Sequence, residues 1–371
     1  MRFFHISDLH FGKQLGGMDL SEDMRHVLFG QVLGSAYEQF RPDGLIIAGD
    51  VYDKSSPSAE CISLFDEFLS RAAELSLPVF AISGNHDSAQ RISYGRELFR
   101  NSGVYLSEPI SAEHTISVIP FGDIDIALLP YVSAEAAARC FPDDVPDSID
   151  NALQVIFDRA ELPREGRPCI LVAHQAVAGS VSDAIGSIET ADYHVFDRFA
   201  YTALGHFHTP KNIGGPRVRY CGSPLCFSAK EAKSPQKYID IIDIDSNGDV
   251  EVTNHPIQPL RKVSVAEDSF EALMSDRYAA CEDYMFITVR GGNAESDAAR
   301  LLQAKFPYCV KISYERQAVQ RTQEREYSEM EFGELFGGFY RLAMGEDIDE
   351  KLLEKARELF SESEKGDSHG S

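Results

Sequence analysis

The sequence predicts a layered α/β protein followed by a smaller α/β unit and a helical tail. Three observations carry that expectation. Over the first 130 residues short apolar runs alternate with amphipathic stretches, a βαβαβ order that implies a largely buried sheet. Past residue 258 a shorter set of the same kind begins again, and from residue 332 onward the patterns are helical only. A chain of 371 residues is also long for one core, so two or three domains are expected.

In chain order, "MRFFHIS" reads as the first strand. Residues 21–40 read as a helix with Met24, Val27, Leu28, Val32, Leu33, Ala36, Tyr37 and Phe40 on its apolar face and Ser21 as its N-cap. "GLIIAGD" is a short buried strand, "SAECISLFDEFLSRAAEL" a second amphipathic helix and "PVFAIS" the third strand. "ISVIPFGDIDIALLPY" leads to a helix over Ile149–Ala160, then to the strand "CILVAHQ", then to a strand over 201–208 that runs into "GHFH". "KYIDIIDIDSNGDVEVTNHPI" reads as a hairpin turning at Asn247 and Gly248.

The first domain is thus placed at 1–258. Residues 259–315 form the small α/β unit, with a helix over Asp297–Lys305 between "FITVRG" and "CVKISYE". Residues 316–331 are charged and poor in apolar side chains, as in a linker. Residues 332–362 hold two amphipathic helices. One clusters Phe332, Leu335, Phe336, Phe339 and Tyr340; the other aligns Leu352, Leu353, Ala356, Leu359 and Phe360. Such helices either dock on their own domain or bind a partner. Residues 363–371 read as a disordered tail.

At 43% hydrophobic and 25% charged residues, the composition is that of an ordinary globular protein. No apolar run approaches the roughly 18–20 residues of a membrane span, and the N-terminus lacks the features of a signal peptide. The seven cysteines are scattered without a C-x-x-C pair, as expected of buried thiols in a reducing cytoplasm. The net charge of -24 argues against nucleic acid as far as a global average can. Arg91, Arg96, Lys211, Arg217 and Arg219 read either as a local basic rim or as ordinary solvated surface.

Five strand ends terminate in metal-ligand residue types: Asp8 and His10, Asp50, Asn85 and His86, His174, and His206 and His208. Alone, a strand-end histidine is more often a satisfied core group than a ligand. Five such groups, each after an apolar run, weaken that reading. Ligands of open α/β sheets bind beyond the carboxyl ends of the strands, so all five can converge. The period-two spacings 8/10 and 206/208 would put both side chains of each pair on one face of an extended segment. Asp8, His10, Asp50, Asn85, His174, His206 and His208 are too many for one tetrahedral zinc and suit two ions sharing a carboxylate. Carboxylate, amide and imidazole donors without thiolate favour Mn²⁺ or Fe²⁺. Glycines before Asp50, Asn85 and His206 read as sharp turns. Two cations about 3.5–4 Å apart can activate a water and stabilise charge on a phosphoryl oxygen. His86 suits general-acid work near neutrality. Asp87 either orients a histidine or caps the helix that follows.

The motifs D-x-H, G-D, G-N-H-D, a strand-end His and G-H-x-H, in this order, resemble the calcineurin-like metallophosphoesterase family. The longer stretches "LIIAGDVYDKSSPS", "ISGNHDSAQRISYG", "TALGHFHTPKNI" and "YCGSPLCFSAKEA" extend the resemblance over about residues 1–270, to its bacterial nuclease members. The resemblance implies a two-sheet, four-layer α/β/β/α domain with residues 259–315 as a capping domain. It implies one metal on Asp8, His10, Asp50 and His208 and a second on Asp50, Asn85, His174 and His206, most simply Mn²⁺. Asp50 would bridge, and His86 would be the catalytic histidine. Where archaeal and eukaryotic relatives carry a second active-site histidine after G-D, this chain has Asp53.

The function so implied is a metal-dependent DNA phosphodiesterase, exonucleolytic on double strands and endonucleolytic on single strands and hairpin ends. It would be cytoplasmic, at the nucleoid, homodimeric through the first domain, and joined by the 332–362 helices to a coiled-coil ATPase. A small-molecule phosphodiesterase using the same site is the second enzymatic reading, against which the extra cap and tail count. A scaffold whose metals only shape a surface is the non-enzymatic one.

Overall fold

The computed structural model describes residues 1–144, 147–178, 189–291, 296–315, 332–345 and 348–357. The segment read as a linker, the end of the second tail helix and the final tail lie outside them. Two six-stranded sheets pack face to face. The first runs Val250–Ile257, Lys237–Ile244, Arg2–Ile6, Gly44–Ile47, Val79–Ala81, Val104–Leu106, its last four strands parallel. The second runs Lys211–Asn212, Val218–Tyr220, Tyr201–Gly205, Cys169–His174, Ile124–Leu128, Ser117–Phe121, its four inner strands parallel.

Alternation along each strand builds the layers, because successive side chains leave opposite faces. Phe3, Ile46 and Phe80 pack with Ile126, Ile170 and Val172 between the sheets, with the Phe3 and Phe80 rings edge to face at 6.3 Å. Their neighbours Phe4, Leu45, Ile47 and Val79 pack instead with Val27, Leu28, Leu64 and Phe68 of the covering helices. On the far side Leu171 and Ala173 pack with Leu153, Ile156 and Phe157 of the helix Ile149–Arg159. Strands buried on both faces read as unbroken apolar runs, and the four-layer order is the one expected.

Local chemistry differs from expectation in three places. The helix at 21–40 begins with Leu20 outside it, and Asp19 Oδ1 accepts from Ser21 N at 2.9 Å. Asp19, not Ser21, is therefore the side chain that satisfies the first turn. The same helix widens to π-type turns over His26–Ala36. Arg219 is not surface at all: it is 8% exposed, its Nη2 donating to Asp240 Oδ1 at 3.0 Å. Asn254 donates to the same oxygen at 2.6 Å, and only such full satisfaction makes a buried pair tolerable. Ser58 caps the helix Ala59–Glu74. As expected, the hairpin turns at Gly248 with φ +86°, and the seven cysteines are free, with Cys169, Cys221, Cys226 and Cys309 buried.

The three strands Val263–Asp268, Tyr284–Val289 and Cys309–Tyr314 form a small sheet, with the helices Phe270–Met274 and Ser296–Lys305 joining them. It shares its core with the first sheet: Val263, Tyr284, Phe286, Tyr308 and Val310 pack with Leu20, Met24 and Leu225. Asp23, 1% exposed, accepts from Arg261 Nη1 at 2.9 Å and from Tyr284 Oη at 2.8 Å. A Cβ added at Gly16 would lie 2.5 Å from Val310 Cγ1. Met1–Val289 and Ala294–Ser313 form one compact unit. A second unit holds the helix Phe332–Met344 and a helical segment over 350–357. Among the described residues no helix is long and apolar enough to cross a membrane.

Candidate metal centre

Each candidate ligand ends or follows a strand whose apolar residues are fixed in the core, so the polar residue at or past the strand end is held in place. The structure brings all seven, and His86, to one edge where the parallel strands of both sheets end. The route differs from the period-two reading. The first strand stops at Ile6 and the Tyr201–Gly205 strand at Gly205, so neither pair sits on an extended segment. Asp8, His10, Asp50 and His206 instead have φ of +54°, +46°, +49° and +107°, a sparsely populated region for residues with a Cβ. Such strain persists where surrounding structure over-determines it, and it gathers at functional sites.

The pairs then divide. His10 Nε2 lies 3.1 Å from His208 Nε2 and 3.6 Å from Asp50 Oδ2. His174 Nε2 lies 3.4 Å from the same Asp50 oxygen and 3.1 Å from Asn85 Oδ1, which His206 Nδ1 approaches at 3.0 Å. Asp8 Oδ1 is 4.0 Å from His208 Nε2; Ser7 Oγ donates to its other oxygen, and His206 N to both at 3.1 and 3.2 Å. Asp8, His10, His208 and Asp8, Asp50, His174 each place three ligand atoms within 4.8 Å of one another.

The glycines act mainly by being small. Gly49 is left-handed at φ +85°, a sharp turn as expected. Gly84 and Gly205 are not: a Cβ at Gly84 would collide with Asp50 Oδ1, and one at Gly205 with Ala48 O. Asp87 also departs from both readings given to it. Its carboxylate accepts from Val51 N at 3.0 Å, Tyr52 N at 2.8 Å and Gly84 N at 2.9 Å, tying the Asp50 loop to the Asn85 loop. Burial pushes it up to about 6.

The donor chemistry fits cations. His174 Nδ1 donates to Ala48 O at 2.8 Å, so the neutral ring aims a lone pair from Nε2 at two further acceptors. His208 Nδ1 faces Glu231 Oε1 at 3.3 Å, leaving its Nε2 lone pair toward His10. Lone pairs and carboxylates converging in a buried space repel unless a cation or a proton sits among them. Burial opposes charge on Asp50, yet His174 and His10 hold its carboxylate well below the usual range. Burial likewise opposes charge on His174, but Asp50 outweighs it and raises the ring to about 9. His10 and His206, with burial dominant, fall to about 3 and about 4. His86 N donates to Asp50 Oδ1 at 2.9 Å and its Nδ1 to Asp53 O at 2.9 Å, while the Asp53 carboxylate takes Lys13 Nζ at 2.7 Å.

Sequence reasoning missed Glu231 and Lys237. Glu231 Oε2 accepts from Lys237 Nζ at 2.7 Å; burial opposes that carboxylate's charge, but His208 and Lys237 hold it at about 2. A lysine opening the apolar strand "KYIDIIDI" was the available signal, since a buried lysine requires a partner.

Residues 1–210 match the family model described as calcineurin-like phosphoesterase. The chain is 32% identical over 287 residues to the D component of the nuclease SbcCD of Staphylococcus epidermidis, covering 75% of each. It is 26% identical over 376 residues to that of Staphylococcus saprophyticus, covering 97% of this chain and 98% of the relative. Among solved structures, TT1561 of Thermus thermophilus aligns over 68% of this chain and 98% of its own, at 12% identity and a TM-score of 0.38.

Proposed function

Because the chain belongs to the calcineurin-like phosphoesterase family, we propose that it is a metal-dependent nuclease with a dinuclear centre. The observation that carries this is the position of Asp50 Oδ2, 3.6 Å from His10 and 3.4 Å from His174, between the two groups of ligands. Asp8, His10, Asp50 and His208 would hold one divalent cation; Asp50, Asn85, His174 and His206 would hold the other. Mn²⁺ suits this oxygen and imidazole set. When bound, two such ions supply an activated water and offset phosphoryl charge.

The chain's own residues do the rest. Asp87 keeps the Asp50 and Asn85 loops in register through three backbone amides. His86, with Nδ1–H donated to Asp53 O, can act as an acid only from Nε2, and therefore only as the imidazolium. As water adds its oxygen to phosphorus, releasing one proton to solvent, and the P–O ester bond breaks, Nε2–H passes its proton to the leaving oxygen. His86 is left neutral, and the Asp53 carbonyl keeps the ring in place.

The substrate reading is DNA, with exonuclease action on duplexes and endonuclease action on single strands and hairpin ends, in end processing, repair and recombination. It is supported by the similarity to the staphylococcal nuclease components. On this reading residues 259–315 cap the site and the protein works in the cytoplasm, at the nucleoid, with an SbcC-type ATPase. The helix Phe332–Met344 exposes Leu335 and Phe339, four residues apart and so on one face, as a coiled-coil partner would require. The same reading includes a homodimer through the first domain. Deleting residues 320–371 is expected to abolish ATPase binding and spare DNA nicking, and sedimentation of the full chain reads the dimer. The decisive experiment is nicking of single-stranded DNA with Mn²⁺ against Asp50→Ala. Full activity in that variant sinks the mechanism.

A further inference from the structure

A buried set of side chains reaches the metal centre from behind. Lys237 is 5% exposed and spends its ammonium on three acceptors: Glu231 Oε2 at 2.7 Å, His208 O at 2.8 Å and Ser223 Oγ at 3.0 Å. The other carboxylate oxygen of Glu231 takes Ser228 Oγ at 3.2 Å and faces His208 Nδ1 at 3.3 Å. One lysine–glutamate pair therefore grips His208 twice, the main chain through Lys237 and the ring through Glu231. The pair is anchored to the strand Lys237–Ile244, which pairs with Arg2–Ile6, the strand that delivers Asp8 and His10. Phe227, ten residues before that strand opens at Lys237, packs edge-on against both rings, His10 and His208, 5.4 Å from each.

A strut that only pinned the 221–236 segment would explain the bonds to Ser223 and to the His208 carbonyl. It would not explain a carboxylate oxygen turned to an imidazole nitrogen. Because a carboxylate only accepts, Nδ1 must carry the proton, and Nε2 is left as a lone pair. Nε2 is the atom 3.1 Å from His10 Nε2.

We propose that Glu231, locked by Lys237, is a positioning residue that fixes His208 in its Nδ1–H tautomer and aims Nε2 at the cation shared with His10 and Asp8. The cation in this statement rests on the metal reading given under Proposed function; the tautomer does not.

The test substitutes Glu231→Gln in the full chain, with Glu231→Ala as a second variant. Lys237 demands an oxygen, so the glutamine turns its NH₂ toward His208 and inverts the tautomer; alanine leaves it mixed. The imidazole ¹⁵N spectrum of metal-free protein should show Nδ1–H for His208 in the wild type and Nε2–H in Glu231→Gln. Calorimetric titration of Mn²⁺ should show one site weakened by about 10–100-fold, the usual cost of losing an outer partner of a ligand, and the other unchanged. An unchanged His208 tautomer in both variants, or equal weakening of both sites, overturns the proposal. If the wild type bound no Mn²⁺ but the tautomer inverted, the metal reading would fail while the fixing of the ring by Glu231 stood.

Discussion

His10 Nε2 and His208 Nε2 face each other at 3.1 Å, and His208 has already given its one neutral proton to Glu231. Only His10 could fill the gap with a proton, and its Nδ1 has no hydrogen-bond partner among the described residues. Without a metal, a neutral His10 fills it by carrying its one proton on Nε2 and donating to His208. On the metal reading proposed above, a divalent cation takes the place of that proton and the two rings share it. Replacing either ring by alanine should therefore remove one of two Mn²⁺ equivalents, by more than the about 10–100-fold seen for outer partners. Metal analysis after gel filtration reads it; retention of both equivalents refutes it.

His86 holds no ligand atom in either group, so His86→Ala should keep both metals and lose the proton donor. The expected loss is about 10²–10⁴-fold in kcat on DNA, the usual worth of general-acid catalysis. The loss should shrink on bis-p-nitrophenyl phosphate, whose nitrophenolate departs without a proton. Equal losses on the two substrates would remove His86 from the acid role.

Gly205→Ala should be far worse than an ordinary surface glycine replacement. The added Cβ would collide with Ala48 O and lie 2.7 Å from His174 Nδ1, the acceptor and donor of one bond. The variant should lose activity and Mn²⁺ binding together, whereas Gly17→Ala, with nothing within 4 Å but a left-handed φ of +88°, should cost only modest stability. Comparable activity in the two variants would contradict the packing argument.

Acid stability should report on Asp125, which is fully buried and takes Arg164 Nε at 2.6 Å and Arg167 Nε at 2.8 Å. Burial opposes its charge, but the two arginines prevail and lower its pKa. A folded-state pKa below the unfolded one stabilises above the unfolded value, about 3.9, and that share is lost as pH falls through the lower folded value. Asp125→Asn should thus cost about 1.5–3 kcal/mol at pH 7 and progressively less below about pH 4. Urea unfolding across that range checks it; a pH-independent difference would refute the linkage.

The convergence of the candidate residues was legible because each lies at or shortly past the end of an apolar run, a local pattern. The alternating order of helices and strands was legible for the same reason. What escaped is long-range or conformational. Asp87 bonds Val51 and Tyr52, 36 and 35 residues away, and Arg219 finds Asp240 across the interface of the sheets. Glu231 meets His208 only because a loop folds back on it. The positive φ at Asp8, His10, Asp50 and His206 leaves no mark in composition, since aspartate and histidine occupy ordinary strand ends as well. Ser21 failed as a cap because it is itself the first helical residue and its Oγ is spent donating to Asp19 Oδ1 at 2.7 Å.

The contact of Gly16 with Val310 has a mechanical meaning. Backbone and side chain meet there with no space for a methyl group, and Tyr284 beside it bonds the buried Asp23. A part that shares its hydrophobic interior with the catalytic body cannot swing over it like a lid. If residues 259–315 cap the site as proposed, they do so as a fixed gauge, and the pliability that admits a substrate is asked of the substrate.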